Sequence, residues 1–199
     1  MNKLLCLFSI SLLLVGCSPK LAPAKTASPA SAATATPAQD PVKARASEAF
    51  QKFGGQLKNE LTSAIESGGP VQAVEVCHGR APEIAKSVSE ELQIEMGRSS
   101  HRLRNTSNAP QSEVAAFLEK YREAPAAEIP VEVYEVEGDK LVVAPIPTAP
   151  LCLTCHGDPQ TFSPDLKAAL AKFYPEDQAT GFEVGDMRGV FWAKIKPGE

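Results

Sequence analysis

The chain predicts an α+β domain, with helices first and a mostly antiparallel sheet after them. Three observations carry this reading. An apolar stripe with helical spacing runs from Phe50 to Ile65. Val131 to Val136 alternates with a period of two and returns, after Gly138-Asp139, as Leu141-Val142-Val143. Gly189 to Ile195 reads as a last strand. A run of helices followed by a hairpin, without βαβ alternation, indicates α+β rather than an all-helical bundle.

Asp40-Pro41 is a helix start, with Asp as N-cap and Pro at the first helical position. Phe50, Phe53, Leu57, Leu61 and Ile65 recur at steps of three and four, one face of an amphipathic helix. Gly54-Gly55 weakens it by about 1 kcal/mol per glycine, and Gly68-Gly69 ends it. Pro70 starts a second helix bearing Val71, Val74 and Cys77; Gly79 predicts an interruption before Pro82 opens a short third one. Leu92 to Arg98 alternates as a strand, and residues 99–111 are loop-like. Ser112 to Tyr121 forms a helix with Val114, Phe117 and Leu118 on one side. The two alternating runs make a hairpin turned at Gly138-Asp139. Pro145, Pro147 and Pro150 predict a stiff, extended approach to residue 152. Ser163-Pro164 starts the last helix, which ends near Tyr174-Pro175.

The N-terminus predicts export. Asn2-Lys3 is a short positive region, and Leu4 to Val15 is an apolar run too short to span a membrane. It ends in Leu14-Val15-Gly16-Cys17, a bacterial lipobox pattern, so residues 1–16 read as a signal peptide and Cys17 as the lipidated residue. A multiply acylated Cys17 would anchor the protein stably to a membrane, facing the periplasm. Ser18 rather than Asp follows it, which favours the outer membrane. Residues 18–40 are nearly all Ala, Pro, Ser, Thr and Lys and cannot build a core. With Cys17 they read as a tether of at most roughly 70 Å. Residues 41–199 make one domain. Removing residues 1–16 takes away one Lys and no acid, so the net charge goes from −4 to −5. That balance excludes nucleic acid as the expected partner.

Cys152-Leu153-Thr154-Cys155-His156 is a C-x-x-C-H motif, the attachment signature of a c-type haem. Two thiols form thioethers to the haem vinyl groups, and the adjoining imidazole becomes an axial ligand. A redox C-x-x-C would need a βαβ context, whereas this motif follows a Pro-rich stretch. A zinc site from Cys77, His78, Cys152 and Cys155 is the other alternative. The chain has five Cys; Cys6 leaves with the signal peptide, and Cys77 alone has no assigned role. A spare thiol is unusual in an oxidising compartment.

For the sixth position at the iron the candidates are Cys77, His78, His101, Met96 and Met187. Cys77 follows Val71 and Val74 on an apolar helix face, which fits either a ligand or an inert buried thiol. Arg98, Arg102 and Arg104 place three fixed positive charges within seven residues, suited to the haem propionates or to a solvated loop. Asn105 and Asn108 read as turn residues. No nucleophile–base pair and no Gly-rich phosphate loop stand out, so no enzyme activity is expected.

Further motifs lie in one order: Cys77 with Ala81-Pro82-Glu83-Ile84-Ala85, Gly97-Arg98-Ser99-Ser100, Arg102-Leu103-Arg104-Asn105, Asn108-Ala109-Pro110, the haem motif through Gly157, Tyr174 to Phe182, and Gly185 to Gly189. With them, residues 47–196 resemble a domain-of-unknown-function family of mono-haem c-type proteins with a PAS-like α+β fold. Members are stand-alone exported proteins or extracytoplasmic sensor regions of bacterial signalling proteins. The resemblance implies His156 and Cys77 as the axial pair of one covalent haem, and a role for Arg98, Arg102 and Arg104. It departs in two places: Trp192 is bulky for the final strand, and His78 is a rival ligand beside Cys77. The function expected is electron transfer with an unidentified redox partner; the alternative is redox or gas sensing through a separate signalling partner.

Overall fold

The computed structural model describes residues 40–196. The signal segment, Cys17 and all but the last residue of the tether lie outside the described residues.

Helix α1 (Pro41–Leu92) starts as its sequence predicts, with the Asp40 carboxylate accepting from the Val42 N–H at 3.0 Å. At Gly69 the backbone turns to φ 72°, ψ −170°, a conformation open to glycine, and Pro70 restarts the helix. The two arms pack on each other: Phe50 and Phe53 share a core with Ile84 and Val88, and Arg80 bridges to Glu60 at 3.0 Å. The predicted break at Gly79 and separate helix from Pro82 do not form; α1 runs through both. Pro82 removes one donor from the helix, and burial of Ala81, Ile84 and Val88 holds the turn together.

Four strands form one antiparallel sheet in the order β1-β4-β3-β2: β1 (Glu95–Ser99), β2 (Glu132–Val136), β3 (Asp139–Pro147) and β4 (Met187–Ile195). The β2–β3 turn is Glu137-Gly138, one residue earlier than predicted, with φ of 54° and 92°. Both positive angles mark the turn type whose twist matches paired strands. Pro145 and Pro147 belong to β3 rather than to a loop. β2 ends level with Val143, and beyond it one side of β3 is free, where proline breaks no ladder bond.

Alternation along the strands divides the core. Val142, Ala193 and Ile195 face α1, whereas Leu141, Val143 and Val190 face α2 (Ser112–Lys120). Trp192 is accommodated because Gly97 lies opposite it on β1; a Cβ there would stand 2.7 Å from the indole. Helix α4 (Pro164–Phe173), capped by Ser163, packs on the second arm of α1 through Val74, Leu166 and Leu170.

Glu132 ties β2 to α2, accepting from Lys120 Nζ at 2.7 Å, Tyr121 Oη at 2.6 Å and Tyr134 Oη. Burial pushes its carboxyl up, but these donors outweigh that and hold it at about 2. A depressed carboxyl stabilises the fold above its ordinary pKa and loses that contribution as pH falls towards the folded value. Lys120 is exposed, so screening keeps the contribution of that ion pair small. Glu132→Gln should therefore lower the urea midpoint at pH 6, and its deficit should shrink between pH 4.5 and 2. A pH-independent deficit would show that the carboxylate charge is not the cause.

Candidate functional site

Residues 150–156 wind as a short 3-10 turn and the one-turn helix α3 (Leu153–His156). This places Cys152 and Cys155, both free thiols, on neighbouring helical positions three apart. The backbone of the turn is laced to residues 177–182. The His156 carbonyl accepts from Phe182 N–H at 3.0 Å, and the Gly157 carbonyl from Gly181 N–H at 2.8 Å. Arg104 completes the clasp: Nε donates to both Asp177 carboxylate oxygens at 3.1 Å, and Nη2 donates to the Ala179 carbonyl at 3.1 Å and to the Cys155 carbonyl. Arg102 donates to the Thr180 and Gly181 carbonyls at 3.0 and 3.2 Å, and its guanidinium lies 4.6 Å from the Phe182 ring centre.

His156 Nδ1 is 2.7 Å from the Ala179 carbonyl oxygen. A carbonyl only accepts, so Nδ1 carries the proton and Nε2 is the nitrogen left with a lone pair. Burial, reinforced by Arg104 and Arg188, holds the imidazole well below its ordinary pKa, so the ring is neutral. A neutral imidazole, oriented through its other nitrogen, is what a metal requires of a histidine.

The ring lines a cleft of about 1040 Å³, measured out to its open mouth. Leu57, Leu61 and Ile65 from the first arm of α1 and Val74 from the second supply apolar walls; Cys77, Cys152 and Cys155 share it. Thus the apolar stripe of the first helix has two jobs: Phe50 and Phe53 pack in the core, and its later residues face the cleft. Burial pushes the Cys77 thiol up, while Arg98, Arg104 and Arg188 pull it down.

The sequence model of the Tll0287-like family matches residues 25–195. The chain belongs to the Tll0287-like family. A solved relative is the cyanobacterial heme-protein Tll0287, whose crystal structure superposes with a TM-score of 0.59 over 79% of this chain and 93% of that one, at 21% identity. That likeness supports the α+β fold. No curated protein matches the sequence.

In this Tll0287-like chain the predicted residues divide by place. Cys77, Arg98, Arg102, Arg104, Cys152, Cys155 and His156 all line the cleft. His78 does not: its ring packs between Phe173 and Tyr174, 5.2 Å from each ring centre. Met187 is buried in the α2-side core, Met96 in the α1-side core, and His101 lines a separate cavity beside Phe182. Among the described residues no three His, Cys, Asp or Glu side chains gather closely enough to hold a bare metal ion. The four residues considered for zinc are thus not assembled.

Arg188 is a site residue that sequence reasoning missed. The β3–β4 register shifts at Ile146/Pro147, pairing Gly189 and Met187 across it, so Arg188 is the extra residue of a bulge. The bulge turns it into the cleft, where its guanidinium stands beside the Cys152 sulfur and its buried Nε has no partner. Arg98 and Arg188 form no ion pair with a carboxylate among the described residues, and burial lowers the pKa of both. Arg102 and Arg104 are instead committed to backbone carbonyls and to Asp177. The cleft therefore offers two thiols, a neutral imidazole, a third thiol and two cations without a carboxylate partner among the described residues, a donor set that fits haem with its two carboxylates.

Proposed function

We propose that this protein is a membrane-tethered, periplasmic mono-haem c-type protein that transfers electrons and is not an enzyme. The observation that carries the reading is the His156–Ala179 hydrogen bond, which leaves a neutral imidazole with Nε2 available directly after two free thiols. Bound haem would supply one-electron redox chemistry. Cys152 and Cys155 would attach it, His156 and Cys77 would ligate its iron, and the apolar walls would exclude water. Arg98 and Arg188 would compensate the propionates. Leu151, exposed next to Cys152 at the rim of the cleft, supports contact with a redox partner there. Cys17 would hold the domain at the membrane, and its tether would let it search for that partner.

A second reading is a redox or gas sensor acting through a separate partner. Gly79 and Pro82 favour it, because they weaken the helix just after Cys77. The two readings divide on whether Cys77 stays in place.

Protein made together with a haem-attachment machinery should give a pyridine haemochrome of one covalent haem per chain. The Cys152→Ala/Cys155→Ala double variant should lose it. Stoichiometric zinc and no covalent haem in the unmodified protein would overturn the proposal.

A further inference from the structure

The wall that carries Cys77 has space on both sides. Cys77, Arg98, Asn105, Asn108 and Tyr174 line the cleft that His156 faces, and they also line a second cavity of about 680 Å³, measured out to its mouth. Its other walls include Phe53, Ala81, Ala85, Met96, Gly97 and Trp192. Arg98 is the one Lys, Arg, Asp or Glu in that lining among the described residues. Asn105, Ser107 and Asn108 mix with these apolar walls, and a lining of that kind with a single charge suits a neutral molecule rather than an ion.

The helix at Cys77 is also one backbone bond short, held by the burial of Ala81, Ile84 and Val88. Pro82 cannot donate to the His78 carbonyl. Gly79 sits between them, and a Cβ there would meet nothing within 4 Å, so no close packing requires a glycine.

We infer that this second cavity is the docking and entry site for a small neutral diatomic ligand that displaces Cys77. The inference rests on the sensor reading and gives it a ligand class and a route. The displacement is a ligand substitution: the bond to Cys77 Sγ breaks, the sulfur keeps its electron pair, and a bond to the diatomic forms in its place. No electron is transferred in the exchange.

Xenon and carbon monoxide test it. Crystals of the haem-loaded protein under xenon pressure should show xenon beside Ala85 and Trp192; an empty cavity would overturn the inference. In the reduced, haem-loaded protein, Ala85→Leu should slow carbon monoxide association about tenfold. The same variant should leave the ferric absorption bands unchanged, because Ala85 lines this cavity and not the cleft of His156. Ala85→Ser should keep the original rate. Ala81→Val replaces Ala85→Leu if the latter fails to fold. An unchanged rate in the filled variant, or no carbon monoxide uptake by the reduced protein, would overturn the inference and leave electron transfer standing. Absence of covalent haem would instead remove the functional reading itself.

Discussion

Replacing Arg104 by alanine should destabilise the fold by about 3–5 kcal/mol, the cost of removing one partner from a largely buried ion pair. The Arg104 and Asp177 side chains are 14% and 11% exposed, so water cannot replace the lost partner. The change would strip Asp177 of its cation and leave the Cys155 and Ala179 carbonyls without the guanidinium donors. For a domain of this size it corresponds to a fall in melting temperature of roughly 6–20 °C. Arg104→Lys should recover only part of the loss. A lysine keeps the charge but cannot serve a carboxylate and two carbonyls from one planar fork. Asp177→Ala should behave nearly as badly as Arg104→Ala, and the double variant should be less harmful than the two single effects added. Thermal and urea midpoints on the haem-loaded protein measure all four. A loss under 1 kcal/mol for Arg104→Ala would show that the clasp does not hold the turn of Cys152, Cys155 and His156.

That clasp also shows where sequence reasoning stopped. The three arginines were legible as a cluster of fixed charge, suited to propionates or to a solvated loop. Two of them instead fasten residues 155–181, more than 50 positions along the chain, and nothing in local composition announces such pairing. Arg188 was illegible for a related reason. Its direction comes from a bulge, and a bulge depends on how two strands register rather than on either strand alone.

Features with local physical causes were easier to read. The N-caps at Asp40 and Ser163 satisfy backbone donors two and three residues away. The alternation in β2 and β3 reflects a two-faced sheet. Gly79 and Pro82 misled because intrinsic propensity is a weak prior, and burial along α1 against the sheet overrides it. Trp192 looked oversized until the register placed Gly97 opposite it.

Replacing Cys77 should change the electronic state of a bound haem more than any substitution outside Cys152, Cys155 and His156. A thiolate donates electron density and favours ferric iron, so the native pair should give a low potential. Cys77→Met should raise the potential by on the order of hundreds of millivolts, since axial ligands set haem potentials over a span of about 0.8 V. Cys77→Ala should shift the ferric Soret band and abolish the thiolate-to-iron signals in near-infrared magnetic circular dichroism. Among the described residues no ready substitute stands beside it. His78 packs against Phe173 and Tyr174, and Met187 lies in the α2-side core. A neighbour is therefore not expected to rescue six-coordinate, low-spin ferric iron in the alanine variant. Arg98 supplies the internal control. It faces the same cleft and lowers the pKa of the thiol without occupying its position. Arg98→Gln should move the potential while keeping the thiolate bands. If Cys77→Ala leaves those bands in place, the sulfur is an inert buried thiol, and its place in the cleft lining reflects packing alone.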